Sequence, residues 1–382
     1  MIWTAAFALC ALLASVLLTL AGQVSPVAAM HLVFAVGIVP LIFAAISHFV
    51  PVLTRSGEPA LWIRWIPAVA QVLGLLIFAV LMAWVSRSWL VVAAVAEMLL
   101  AAALLVWVWL RRRRCIGAAH PCSLWYLMAL ACLLLALLAI VGQGLRPQHY
   151  QVLRVAHLHL NTLGLLGFAA LGTLPVLLPT ALGRPDPQAA QWLRRWWWRL
   201  LLALGSLLAA LLFVPASVPH LLLVSAAGLF YLGASTSLLR QWSGCFSWQA
   251  LWRDGVAASL SAALLGFCTL LLAGFLHGLA WIEPRAAIAA WVLGFLLPLV
   301  SGALTQLLPV WLYPGPLTPR RTRLRERLAR HGQWRAVLFL TGCFAALLGL
   351  SQLGVVLALA ALLGFLAPLL LELLRYRANQ QA

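Results

Sequence analysis

Charge is what this chain has least of. Only 8% of its 382 residues are charged, seven are acidic and none is lysine, so all 25 basic residues are arginine. About a quarter of a soluble domain is charged. So little charge cannot clothe a water-facing surface, which excludes a soluble enzyme, and so apolar a chain is not disordered. The seven cysteines, Cys10, Cys115, Cys122, Cys132, Cys245, Cys268 and Cys343, are scattered, four of them within apolar runs. That pattern excludes a disulfide-rich secreted module and reads as buried, reduced thiol. Dinucleotide, P-loop, HExxH and nucleophile-elbow motifs are missing as well. What remains is apolar: 65% hydrophobic residues and a mean hydropathy of +1.05. In a bilayer every backbone polar group needs an internal partner. The expected fold is therefore all-α, a polytopic membrane protein.

Hydropathy separates twelve apolar segments, at about 3–22, 29–53, 62–85, 88–110, 122–142, 152–181, 196–214, 219–239, 256–279, 286–313, 335–352 and 354–374. Each is long enough for a spanning helix. The N-terminal run Met1-Ile-Trp-Thr-Ala lacks a basic leader and reads as a retained first span. Twenty-one arginines fall on the connections after even-numbered spans and on the C-terminus, and four on the others. The positive-inside rule then puts both termini in the cytoplasm. A net charge of +18 built at helix ends is topological, and nucleic acid is not an expected partner; the lipid bilayer is. The arginine-rich connection 314–335 is expected to lie along anionic headgroups as a short amphipathic segment. The 19 tryptophans read mostly as an interfacial belt.

An internal repeat is visible. Pro51, Pro179 and Pro309 close similar apolar stretches, 128 and 130 residues apart. On that alignment His31 coincides with His159, each 20 residues before its proline, and Pro40 coincides with Pro298. We expect one transmembrane domain, 1–382, built of three parallel four-helix repeats, at about 1–114, 115–243 and 244–382. Four spans restore orientation, unlike the inverted repeats of many transporters.

Topology gives each histidine a depth. His31, His149, His157, His159, His220 and His277 gather near the outer face, while His48, His120 and His331 lie toward the inner one. His149 and His220 read as interfacial polar residues. His31, His157 and His159 sit a turn or so inside apolar helices, where ionisable groups are costly. Neutral imidazole binds heme iron or copper without adding charge. His31 and His159 are the first candidates for metal or cofactor ligands, with His157 and His277 next. The alternative is polar glue between helices. His157 and His159 are two residues apart and point about 200° apart on a helix. Glu97, the carboxylate at mid-membrane depth, could carry protons, pair with a histidine, or stay neutral and hydrogen-bonded. Gln71, Gln143, Asn161 and Gln306 could hydrogen-bond a ligand or another helix, and read chiefly as helix-packing groups. Soft ligands recur from Cys115 to Cys122, but their spacing fits no standard zinc pattern.

Twelve spans, both termini inside, three parallel units and histidines at the outer ends of spans 2 and 6 resemble the heme-copper oxidase subunit I superfamily. The local carriers are His31-Leu32-Val33-Phe34-Ala35-Val36-Gly37 and His157-Leu158-His159-Leu160-Asn161-Thr162-Leu163-Gly164. The resemblance implies that His31 is a low-spin heme ligand and that His157 or His159 is a copper ligand. Span 10 has no histidine, span 7 lacks the histidine pair, and the tyrosine beside the span 6 histidine is missing, so a complete oxygen-reducing site is not expected. This reduced pattern is similar to the NnrS family. The implied protein is a bacterial inner-membrane one that binds heme b, and possible copper, and serves in the nitric oxide response or electron transfer, with a redox partner or a diatomic gas as ligand. The alternatives are a cofactor-free transporter or channel along Glu97, Gln71 and Gln306, and an oxidase assembly or structural subunit.

Overall fold

The computed structural model describes all residues except Ala216, Ala280 and Ala382, and all side chains but theirs, that of Leu373 and those of 375–381. The described chain is helical, with no strand among the described residues. Its helices are α1 (Ile2–Leu20), α2 (Pro26–Leu53), α3 (Leu61–Leu81), α4 (Ser88–Arg113), α5 (Cys122–Leu145), α6 (Pro147–Ala181), α7 (Ala189–Ala210), α8 (Val218–Cys245), α9 (Trp248–Arg253), α10 (Gly255–Gly278), α11 (Pro284–Leu312), α12 (Pro319–Ala329), α13 (Gly332–Leu347) and α14 (Ser351–Gln381). Ten of these are long and apolar enough to cross a membrane. The other two of the twelve expected spans form helices that fall short. Helix α7 carries Arg194, Arg195 and Arg199 in its first half, and α13 has 16 residues.

The chain divides into two compact units. The first comprises Trp3–Thr173 and Pro187–Tyr231; the second comprises Leu174–Asp186 and the chain from Leu232 onward. Each has a core of alanine, leucine and phenylalanine, and leucines and valines stay exposed on the outer helix faces. In water such faces would aggregate; against lipid tails they are at rest. Many of the tryptophans are exposed, Trp3, Trp84 and Trp281 most of all. Six are buried, Trp125 and Trp242 fully, and Trp125 stacks on Trp192 with ring centroids 5.6 Å apart.

The helices α2, α6 and α11 share a feature that sequence periodicity does not reveal. Each contains a π segment, Leu32–Ile38, Leu160–Leu166 and Val292–Leu296. A π turn widens the helix and leaves backbone carbonyls in need of donors. In the first unit, side chains of other helices supply them. Gln71 Nε2 on α3 donates to Val36 O at 3.2 Å and to Thr4 O at 2.9 Å. Tyr231 Oη on α8 donates to Leu163 O at 3.1 Å. Neighbouring helices press on these segments through small residues. A Cβ at Gly74 would lie 2.2 Å from Ala35 O, and one at Gly164 would lie 2.7 Å from Cys132 Cβ. In the second unit a Cβ at Gly266 would lie 1.8 Å from Gly294 O.

The connection after α11 folds as expected into a short amphipathic helix, α12, with Leu324 and Leu328 buried. Arg325 anchors it. Its guanidinium donates to Ala181 O at 2.6 Å and to Gln306 Oε1 at 2.8 Å, and it pairs with Asp254 at 3.3 Å. Asp254 in turn caps α10 by accepting from Val256 N and Ala257 N at 2.9 Å. A second ion pair joins Arg327 to Glu372 on α14. Arg325→Ala is expected to cost about 2 kcal/mol, the scale of a charge-assisted hydrogen bond. Thermal unfolding in detergent checks this, with the exposed Arg320→Ala expected to leave the midpoint unchanged.

Candidate functional site

The residues singled out from the sequence lie mostly in the first unit. His31 sits in α2 one residue before the first π segment, and His159 sits one residue before the second. The His31 ring is half-buried, and its Nδ1 is 2.8 Å from Val27 O, one turn back. A carbonyl can only accept, so Nδ1 carries the proton and Nε2 keeps its lone pair. His157 repeats the arrangement. Its half-buried ring places Nδ1 2.9 Å from Ala136 O on α5, which fixes the same tautomer. Asn161 Nδ2 donates to His157 O at 2.9 Å and lies against the ring, 3.3 Å from Nε2.

His31 on α2 and His157 on α6 lie in the same unit. Metal-bound histidines usually hold their other ring N–H on a carbonyl or carboxylate, which fixes the ring and raises its basicity. Both histidines have that support. His159, also half-buried, points about 200° away from His157 on regular helix geometry. Sequence repeats favour His159 as the second ligand; His157 is the one whose Nδ1 rests on a carbonyl of another helix. The signal that could have found it is Asn161, one turn beyond His157 on the same face.

Two other outer histidines have partners of their own. His220 Nδ1 faces Ala210 O at 3.1 Å across the α7–α8 turn. His277 belongs to the second unit, where its exposed ring donates from Nδ1 to Ile282 O at 2.8 Å. Among the described residues, no group of three or more His, Cys, Asp or Glu side chains is placed to hold a metal ion. That includes the Cys115–Cys122 segment, where Cys122 is buried and its N–H bonds to His120 Nδ1 at 3.3 Å.

Glu97 is 5% exposed, and neither carboxylate oxygen has a hydrogen-bond partner. The expected pairing with a histidine, or with another hydrogen-bonding group, is not formed. A lone ionised carboxylate there would be prohibitively costly, so the group is protonated. Glu97→Leu removes an unsatisfied polar group and is expected to stabilise the protein by about 1–3 kcal/mol. A raised thermal midpoint in detergent is the expected reading; a lowered one would mean that the carboxyl has a partner. Gln71 and Gln306 are engaged with helix backbone and with Arg325, as helix-packing groups are. Comparison with protein-family models, with curated proteins and with solved structures finds no match to this chain.

Proposed function

We propose that this chain is a heme-b-binding protein of the bacterial inner membrane, of the heme-copper oxidase subunit I type and nearest to the NnrS family. The observation that carries the reading is the like arrangement of His31 and His157. The two imidazoles stand on separate helices of one unit, each with Nδ1 held by a carbonyl and Nε2 bearing the lone pair. Heme iron asks for one or two such ligands. Copper of the oxidase type asks for a cluster of three, and no such cluster exists among the described residues. Heme is therefore the favoured group and copper the lesser one. Bound here, heme would supply one-electron chemistry or an iron site for a diatomic gas.

The chain's own residues have definite parts in this reading. Val27 O and Ala136 O orient the rings, and Asn161 steadies the His157 backbone. Gln71 and Tyr231 hold the π segments that set the rotation of α2 and α6. The three-repeat architecture draws support from the π segments, which begin at Leu32, Leu160 and Val292, 128 and 132 residues apart. In the third position Trp291 precedes the segment, where the first two have histidine. Twelve spans with cytoplasmic termini remain the reading of the arginine asymmetry.

The transporter alternative is weaker, because its proposed lining groups Gln71 and Gln306 are already bonded to protein. The test is an optical spectrum and pyridine hemochrome assay on protein purified from heme-sufficient cells. A Soret band at about one heme per chain is expected; its absence would remove the reading. A shift on adding carbon monoxide to the reduced protein would favour gas binding, and no shift would favour electron transfer.

A further inference from the structure

A second feature of the first unit lies at the arginine-rich ends of its helices. A cavity of about 340 Å³ opens between the end of α4, the loop before α5 and the start of α7. Arg112 and Arg194 line it from opposite elements, Trp197 forms one wall, and Pro121 and Leu124 form the floor. Arg112 is held in place by a bond from Nη1 to Ser123 Oγ at 2.8 Å. Ser123 Oγ in turn donates to His120 O at 2.7 Å, so the guanidinium is fixed against the first turn of α5. His120, beside the cavity, is kept below its ordinary pKa by burial and by the nearby Arg194. It is neutral at pH 7 and accepts from Cys122 N, so it brings neither a charge nor a counter-ion.

The first unit supplies no carboxylate to neutralise these cations. The first unit contains only Glu58 and Glu97. Glu58 pairs with Arg64, and Glu97 is buried in the span. Two arginines lining one cavity, with no free carboxylate from their own unit, form a site for an external anion. Planar, forked guanidinium donors match phosphate oxygens. The neighbouring Trp196–Trp198 run and the apolar floor set the site at headgroup depth, where tryptophan accumulates.

We propose that this cavity binds a phosphate group, carried by an anionic phospholipid headgroup or by a soluble phosphate. This site does not depend on the heme reading, since it uses other residues at the opposite ends of the helices. The charge of each arginine near a membrane surface is worth about fivefold in affinity for anionic lipid. Native mass spectrometry of the intact chain in detergent supplies the test, with phosphatidylglycerol, phosphatidylcholine and inorganic phosphate as probes. The wild type is expected to retain one phosphatidylglycerol in preference to phosphatidylcholine. Arg112→Gln/Arg194→Gln is expected to weaken that retention by about 25-fold. Arg113→Gln, whose exposed guanidinium lies over Trp109 rather than in the cavity, controls for general charge. If inorganic phosphate binds with the same dependence on Arg112 and Arg194 and phosphatidylglycerol does not, the phosphate site stands and its ligand is soluble. Should the double variant fail to fold, Arg194→Gln alone serves, because its side chain is exposed. Equal retention by the wild type and the cavity variants, with no phosphate binding, overturns the proposal.

Discussion

His31→Ala and His157→Ala are each expected to strip the protein of heme. The supporting groups around a metal-bound histidine alone are worth about 10- to 100-fold. Loss of the imidazole itself should therefore lower heme per purified chain by at least about tenfold in a hemochrome assay. His159→Ala and His277→Ala are expected to stay within about twofold of the wild type. The first faces away from His157 on the same helix, and the second belongs to the other unit. Asn161→Ala should fall between these extremes, since Asn161 bonds the His157 carbonyl and lies against the ring. If His159→Ala removed the heme and His157→Ala did not, the second ligand would pass to His159. Four variants that kept their heme alike would leave the histidines as polar contacts between helices.

The second large effect concerns the π segments. Gly74→Ala would drive a methyl to 2.2 Å from Ala35 O, against backbone that cannot rotate away. Overpacking of this kind costs about 3 kcal/mol. Gly266→Ala, at 1.8 Å from Gly294 O, should cost at least as much in the second unit. Gly205→Ala is the control, since nothing lies within 4 Å of the added carbon. Melting followed by intrinsic tryptophan fluorescence reads the three variants side by side. The two clashing variants should also separate by cofactor. Ala35 lies in the segment that follows His31, so Gly74→Ala should lower heme in the folded fraction, while Gly266→Ala should not. Equal melting of all three would mean that the helices are not in close contact at these segments.

Much of this molecule is legible in its sequence because lipid makes simple demands. Apolar runs with Pro and Gly between them give the helices, and ten of the twelve expected spans are long and apolar enough to cross. Helix α7 misses that standard because arginines occupy its first turns, and α13 misses it because the chain bends out after Leu347. The α12 amphipathic helix was readable from its charge pattern, but Arg325's anchors were not, because they come from residues up to 144 positions away. The π segments were invisible to periodicity. A single widened turn is imposed by neighbours such as Gln71 and Gly74, and not by local propensity.

The candidate site divides the same way. Depth is a property of sequence position, so His31 and His157 could both be set near one face from the sequence. Facing is a property of helix rotation, fixed by packing and by the π turns. That is why repeat spacing pointed to His159, while the carbonyl support of His157 became visible only in the fold. Glu97 shows the limit from the other side. Its depth was legible, but its lack of any partner required the surrounding helices. Trp125 and Trp242, residues of a type that usually lines the interface, were drawn into the core by helix contacts that composition does not record.

Electron paramagnetic resonance of the oxidised, purified protein tests the central claim most directly. The account predicts a low-spin ferric heme with two imidazole ligands, converted to a high-spin or heme-free state by His31→Ala. A heme signal without imidazole ligation, or one that His31→Ala and His157→Ala both leave unchanged, would contradict it.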